Sequence, residues 1–233
     1  MKKIQKLVIA LLVISAVLPA CKKGADDPFL SLRSRKSRVA GEWKVSTLTD
    51  SRNSVKSGGS GSSNYNVTEV VKVDGSSYSD TYTESGSSDT ENGTVSTYTI
   101  KFEKDGKWNS LFEYSVVTTN PSITHTVTTR TESSGTWNFL GKIGDAKNKE
   151  NISVSTTSEK TTSTTQDTFT PGSTLTDVNV KTKTYAENEN VEIWKLTELK
   201  NKELKAEISI GNSSTDGTVT TSVTGSIVIV LKQ

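Results

Sequence analysis

The chain has 233 residues, with 28 basic and 26 acidic side chains, one histidine and one cysteine. A net charge of +2 over that length provides no global basic field for nucleic acid. One cysteine excludes an internal disulfide and a Cys-based metal cluster. An apolar fraction of 31% is low for a large α/β enzyme.

Residues 1–20 read as a secretory signal peptide. Lys2, Lys3 and Lys6 form a positive n-region, Leu7–Leu18 is an apolar run broken only by Ser15, and small Ala20 precedes Cys21. The run is shorter than the roughly 20 residues a spanning helix needs, and Pro19 ends it. Leu18-Pro19-Ala20-Cys21 resembles the bacterial lipobox. The resemblance implies a thioether-linked diacylglycerol on Cys21, further acylated (palmitate-type chains). At ~0.8 kcal/mol per buried CH₂, more than one chain makes a stable membrane anchor. Loss of residues 1–20 would leave 25 basic and 26 acidic residues, a net charge of −1. The implied acylation of Cys21 would leave no thiol for catalysis.

Residues 21–27, "CKKGADD", form a solvated, flexible tether. Asp26 and Asp27 after two lysines are similar to signals that send some Gram-negative lipoproteins to the cell surface, and Lys22 argues against inner-membrane retention. The expected location is therefore the outer membrane, with the periplasmic face and the cell surface both open. Residues 28–40 predict a short amphipathic helix. Asp27 is placed to cap it, Pro28 suits its first position, Phe29, Leu32 and Val39 share a face, and Gly41 ends it. Its cations, Arg33, Arg35, Lys36 and Arg38, suit the C-terminal end of a helix dipole. They predict a solvated face, with contact to anionic headgroups as the alternative.

Residues 41–233 predict one all-β domain. In "TYTIKFEKDGKWNSLFEY", Tyr98, Ile100 and Phe102 alternate with polar residues. Asp105-Gly106 marks a tight hairpin turn, and Trp108, Ser110, Phe112 and Tyr114 alternate on the return. "VEIWKLTELKNKELKAEISI" reads as a second hairpin, with Leu204, Ala206, Ile208 and Ile210 on one face. The terminal "SIVIVLK" reads as a central or barrel-closing strand. Ser and Thr make up 68 of the 233 residues, which suits strand surfaces. The runs at 57–63, 85–88 and 161–165 read as loops or exposed strand tips, and "DTENG" (89–93) as a hairpin turn. A closed sheet would remove the edges that so β-prone a chain must protect.

Three of the four tryptophans follow a glycine by two: Gly41-Glu42-Trp43, Gly106-Lys107-Trp108 and Gly135-Thr136-Trp137. Glycine as the turn and tryptophan as the first inward side chain would explain all three. The first, after a short helix and opening the first strand, also resembles the Gly-x-Trp of lipocalins. With "VAGEWKVSTLTD", "YTIKFEKDGKW", "SSGTWNF" and "VEIWKLTELKNKEL" in that order, residues 39–233 resemble the lipocalin-like domains of Gram-negative envelope lipoproteins. The resemblance implies an antiparallel lipocalin-like β-barrel with Trp43 packed across its closed end. No arginine follows Arg130, so the arginine that covers this tryptophan in lipocalins is missing, with Lys232 as a stand-in or none. The Ser/Thr-rich stretches around 51–63 and 159–176 exceed a compact lipocalin.

No pattern nominates a catalyst or a cofactor. Gly-x-Ser-x-Gly, His-Glu-x-x-His and a phosphate-binding glycine loop are absent from the sequence. His125, on an alternating strand between Ile123 and Val127, reads as structural. The expected function is non-enzymatic binding of a small hydrophobic ligand, with Trp43, Tyr98, Phe102, Trp108, Phe112 and Trp137 as candidate lining residues that would serve equally as plain core. The alternative is a structural or interaction lipoprotein with a filled barrel that contacts glycan or protein. Neither reading involves metal, cofactor or nucleic acid.

Overall fold

A computed structural model describes residues 34–58, 65–141, 151–170, 172–216 and 219–233. The expected signal peptide, Cys21, the expected tether and the expected Asp27 cap lie outside the described residues. A five-residue helix, α1 (Arg35–Val39), leads into eleven strands. These are β1 (Gly41–Gly58), β2 (Tyr65–Asp74), β3 (Ser77–Glu84), β4 (Ser87–Phe102), β5 (Lys107–Thr119) and β6 (Ile123–Phe139). They continue as β7 (Asn151–Phe169), β8 (Ser173–Thr184), β9 (Val191–Leu199), β10 (Glu203–Asp216) and β11 (Val219–Lys232).

The expected all-β architecture is present: ten of the strands close an antiparallel barrel, and β8 lies beside β7 outside the ring. The ring changes along its axis. At one end, Gly41–Lys44 of β1 pairs directly with Thr99–Phe102 of β4. The circuit there runs β1, β4, β5, β6, β7, β9, β10, β11, which is eight strands. Further up, the β2–β3 hairpin wedges between β1 and β4. On the opposite side, β8 pairs only with β7, and β10 beyond Ile208 pairs only with β11 among the described residues.

The eight-strand end is packed solid. Inward alternation brings Trp43, Phe102, Trp137, Ile152, Leu199, Leu204 and Leu231 to 2% exposure or less. Phe102 packs edge-to-face with Trp137 and Trp194 at 5.4 and 5.9 Å between ring centroids, a favourable arrangement of ring quadrupoles. A smaller cluster of Val73, Tyr78, Val95 and Val116 packs under the β2–β3 hairpin. The terminal strand pairs with both β1 and β10 and closes the barrel, as its apolar sequence predicts.

Several local expectations are corrected. Ser34 has extended backbone and caps α1 through its side chain, which accepts from Ser37 N at 3.1 Å, so no single helix spans 28–40. Arg35 and Arg38 are buried rather than solvated, and Arg38 Nη1 donates to the Leu199 carbonyl at 2.5 Å. This anchors α1 across the packed end, with Val39 fully enclosed. Lys232 points outward and does not cover Trp43. "DTENG" lies within β4, and Ser85 and Gly86, both at positive φ, make that turn instead. Thr161–Thr165 is not a loop but the middle of β7, because threonine alternation satisfies a long cross-strand ladder with β6 and β8.

Candidate functional site

Above the packed end, the inward side chains enclose a cavity of about 260 Å³. Aromatic Tyr98, Phe112 and Trp194 and aliphatic Leu48, Ile208 and Ile229 form its apolar wall. Asp50, Arg52 and Glu192 add the charged groups. Tyr98 and Phe112 face each other across β4 and β5, with stacked rings 4.3 Å apart. The stack runs on through Tyr114 (5.1 Å) to Tyr78 (4.0 Å) and gives the wall a continuous aromatic ladder.

Strand periodicity places the charges. Leu48, Asp50 and Arg52 point inward at successive second positions of β1. Arg52 Nη2 donates to Asp50 Oδ2 at 2.6 Å, and Nε reaches both carboxylate oxygens at 3.0 and 3.1 Å. These hydrogen bonds hold the Arg52 guanidinium above its ordinary pKa, and the charges of Asp50, Glu69 and Glu192 add to the effect. Burial raises the Tyr98 hydroxyl above the usual tyrosine range, helped by the Glu192 and Asp50 charges, so it stays a neutral phenol. Burial likewise raises Asp80 above the ordinary carboxylate range, with Asp50 adding to the shift and a Tyr78 hydrogen bond opposing it.

The four indole N–H groups separate this cavity from the packed end. Trp43 donates to the Val39 carbonyl (2.8 Å), Trp108 to Ser155 (2.9 Å) and Trp137 to Glu103 (2.9 Å). These three bonds fix the rings in the core at no polar cost. Trp194 instead donates to a side chain, Glu192 Oε2, at 2.9 Å. Its ring lines the cavity, and its partner is a carboxylate.

Of the six candidate residues, only Tyr98 and Phe112 line the cavity. Trp43, Phe102, Trp108 and Trp137 belong to the core cluster beneath it. Their Gly-x-Trp motifs do different jobs. Gly106, at φ +97°, makes its turn as expected, although Asp105 is not at positive φ and serves by accepting from Lys107 N. Gly135 is in mid-strand opposite Trp108, where a Cβ would collide with the Ser155 carbonyl oxygen and touch the indole nitrogen. It clears the path for the Trp108–Ser155 bond.

Sequence reading missed Trp194, Asp50, Arg52 and Glu192. The alternation Glu192, Trp194, Leu196 was the available signal, but nothing local couples it to β1. The rest of the surface is plainer. A larger recess of about 480 Å³ is walled by mixed charges on outward positions, Glu42, Lys101, Glu132 and Lys160 among them. His125 Nδ1 lies 2.5 Å from Asp167 Oδ1 across β6 and β7, a cross-strand pair consistent with the structural reading. No group of three or more His, Cys, Asp or Glu able to hold a metal occurs among the described residues. No protein-family profile, curated protein or solved structure matches this chain.

Proposed function

We propose that this chain is a lipid-anchored, lipocalin-like protein of a Gram-negative outer membrane that binds a small hydrophobic ligand and performs no chemistry on it. The observation that carries the reading is the cavity: a concave, aromatic-walled space inside a barrel with one packed end and a few convergent polar groups, the usual anatomy of a ligand site. The volume is near the lower limit of about 300 Å³ for such sites, which points to a small ligand. Support for the lipocalin-like reading comes from the eight-strand ring at the packed end, with Trp43 covered by a short N-terminal helix. The anchor rests on residues 1–21 alone, and Cys21 is the proposed attachment point to the membrane.

A direct test uses the full chain with Cys21→Ser, which removes the lipid acceptor and leaves the barrel sequence intact. A panel of fatty acids, aliphatic alcohols and amines, and retinoid-like dyes should include members that quench tryptophan fluorescence saturably. Uniform silence would remove the ligand-binding reading. Mass spectrometry of the membrane-derived wild type should show a diacylglyceryl, acylated Cys21 as the mature N-terminus; an unmodified cysteine would end the lipoprotein assignment.

A second reading, a structural or interaction lipoprotein contacting glycan or protein, is favoured by one feature. Every residue of β8 is exposed, including Leu175, Val178 and Val180. Side chains of that kind on a strand with a free edge suit contact with another molecule.

A further inference from the structure

The proposed ligand cavity has a sign. Opposed residues of antiparallel strands share a face, and the register writes two adjacent inward rows across β1, β2, β3 and β4. The first row is Asp50, Val71, Asp80, Glu91, and the second is Arg52, Glu69, Tyr82, Asp89. From β9, Glu192 joins them at the cavity wall. Six carboxylates thus stand around one guanidinium.

That guanidinium is already engaged. Arg52 spends its fork on Asp50 in a bidentate pair. Among the described residues no cation forms an ion pair with Glu69 or Glu192. The inward lysines do not reverse the balance: on β8, Lys183 stands opposite Glu159 and Lys181 opposite Thr161, with Asp177 on the same face, and Lys56 lies two rows beyond Arg52. An anionic head entering the cavity would meet an arginine already paired with Asp50 and an excess of carboxylates around it. A cationic head would meet Glu192, with the Trp194 and Tyr98 rings in the same wall as candidates for cation–π contact.

We propose that the cavity selects small organic cations, an ammonium head on an apolar body, over neutral or anionic molecules of the same shape. The body lies against Tyr98, Phe112 and the isoleucines, and the head sits at Glu192 and Glu69. This assignment rests on the reading of the cavity as a ligand site, and the test separates the two.

Calorimetric titration of the Cys21→Ser chain with octylammonium, 1-octanol and octanoate near neutral pH varies the head group on one apolar body. Octylammonium is expected to bind about tenfold tighter than octanol, with octanoate weakest. The preference should shrink as salt is added. Equal affinity for all three, or a preference for octanoate, overturns the charge selection and leaves hydrophobic binding standing. Binding of none overturns both. Glu192→Gln and Glu69→Gln separately tie the effect to the site: each should lower octylammonium affinity severalfold more than it lowers octanol affinity. An unchanged ammonium preference in both variants overturns the assignment to these carboxylates.

Discussion

The two halves of the barrel share β1, β4, β5, β6, β7, β10 and β11 and differ in what those strands point inward. In the packed half, β1, β4, β9, β10 and β11 supply Trp43, Phe102, Leu196, Leu204 and Leu231, and eight strands close a ring around them. In the upper half, β1 supplies Asp50 and Arg52, β7 supplies threonines, and β8 is exposed along its whole length. The difference shows that strand pairing and core formation are separable here. Hydrogen-bonded ladders with Thr on both faces extend the wall well past the apolar core, and where the core stops the interior is free to hold charge and a cavity.

The comparison breaks most severely if the packed end is hollowed. Trp137→Ala removes a ring enclosed at 1% exposure together with its bond to Glu103, and should cost about 3–5 kcal/mol in a urea titration. The same truncation at cavity-lining Phe112, which retains some exposure, should cost clearly less. Gly135→Ala tests the close approach inside β6. It should destabilise by about 1–3 kcal/mol, because β7 must shift or Trp108 must give up Ser155. A red-shifted tryptophan emission in the folded state would report that loss.

Glu198 sharpens the contrast through pH. Its carboxylate is almost wholly enclosed at the β9–β10 turn, paired with Lys200 and with Lys205 at 3.1 Å. The hydrogen bond from Lys200 is the main cause that holds its pKa below the ordinary carboxylate range, with Lys205 adding to it. A depressed folded-state pKa contributes stability above the unfolded pKa and loses it as pH falls through the folded value. Glu198→Gln should therefore lower stability by about 1 kcal/mol at neutral pH. The gap to wild type should close on acidification through and below the usual carboxylate range. The smallest effect belongs to β8: Val178→Thr and Val180→Thr should each change stability by less than about 0.5 kcal/mol, since both side chains are more than half exposed.

Much of the packed half was legible in the sequence. Tyr98, Ile100 and Phe102, the Asp105-Gly106 turn, the 191–210 hairpin and the closing strand all appear where apolar alternation placed them. The alternation weakens in the Ser/Thr-rich stretches, so β1 beyond Asp50, the middle of β7 and the first half of β4 looked like loops. Their side chains carry little burial signal, and their strand state is set by neighbours across the ladder. The cavity was half legible. Tyr98 and Phe112 were named from one hairpin, whereas Asp50, Arg52, Glu192 and Trp194 come together from strands more than 130 positions apart.

The sequence alone determined the β class and the apolar faces of the strongest strands, and it alone carries the proposal that Cys21 accepts a lipid. These follow from local periodicity and from a motif read in order along the chain. Tertiary structure alone decided which aromatics became core and which became cavity wall. It also decided that Arg38 would be buried beneath the barrel and that Arg52 would be claimed by Asp50 amid five other carboxylates. Such outcomes depend on register between distant strands, and a shift of one residue would turn every one of these side chains to the opposite face.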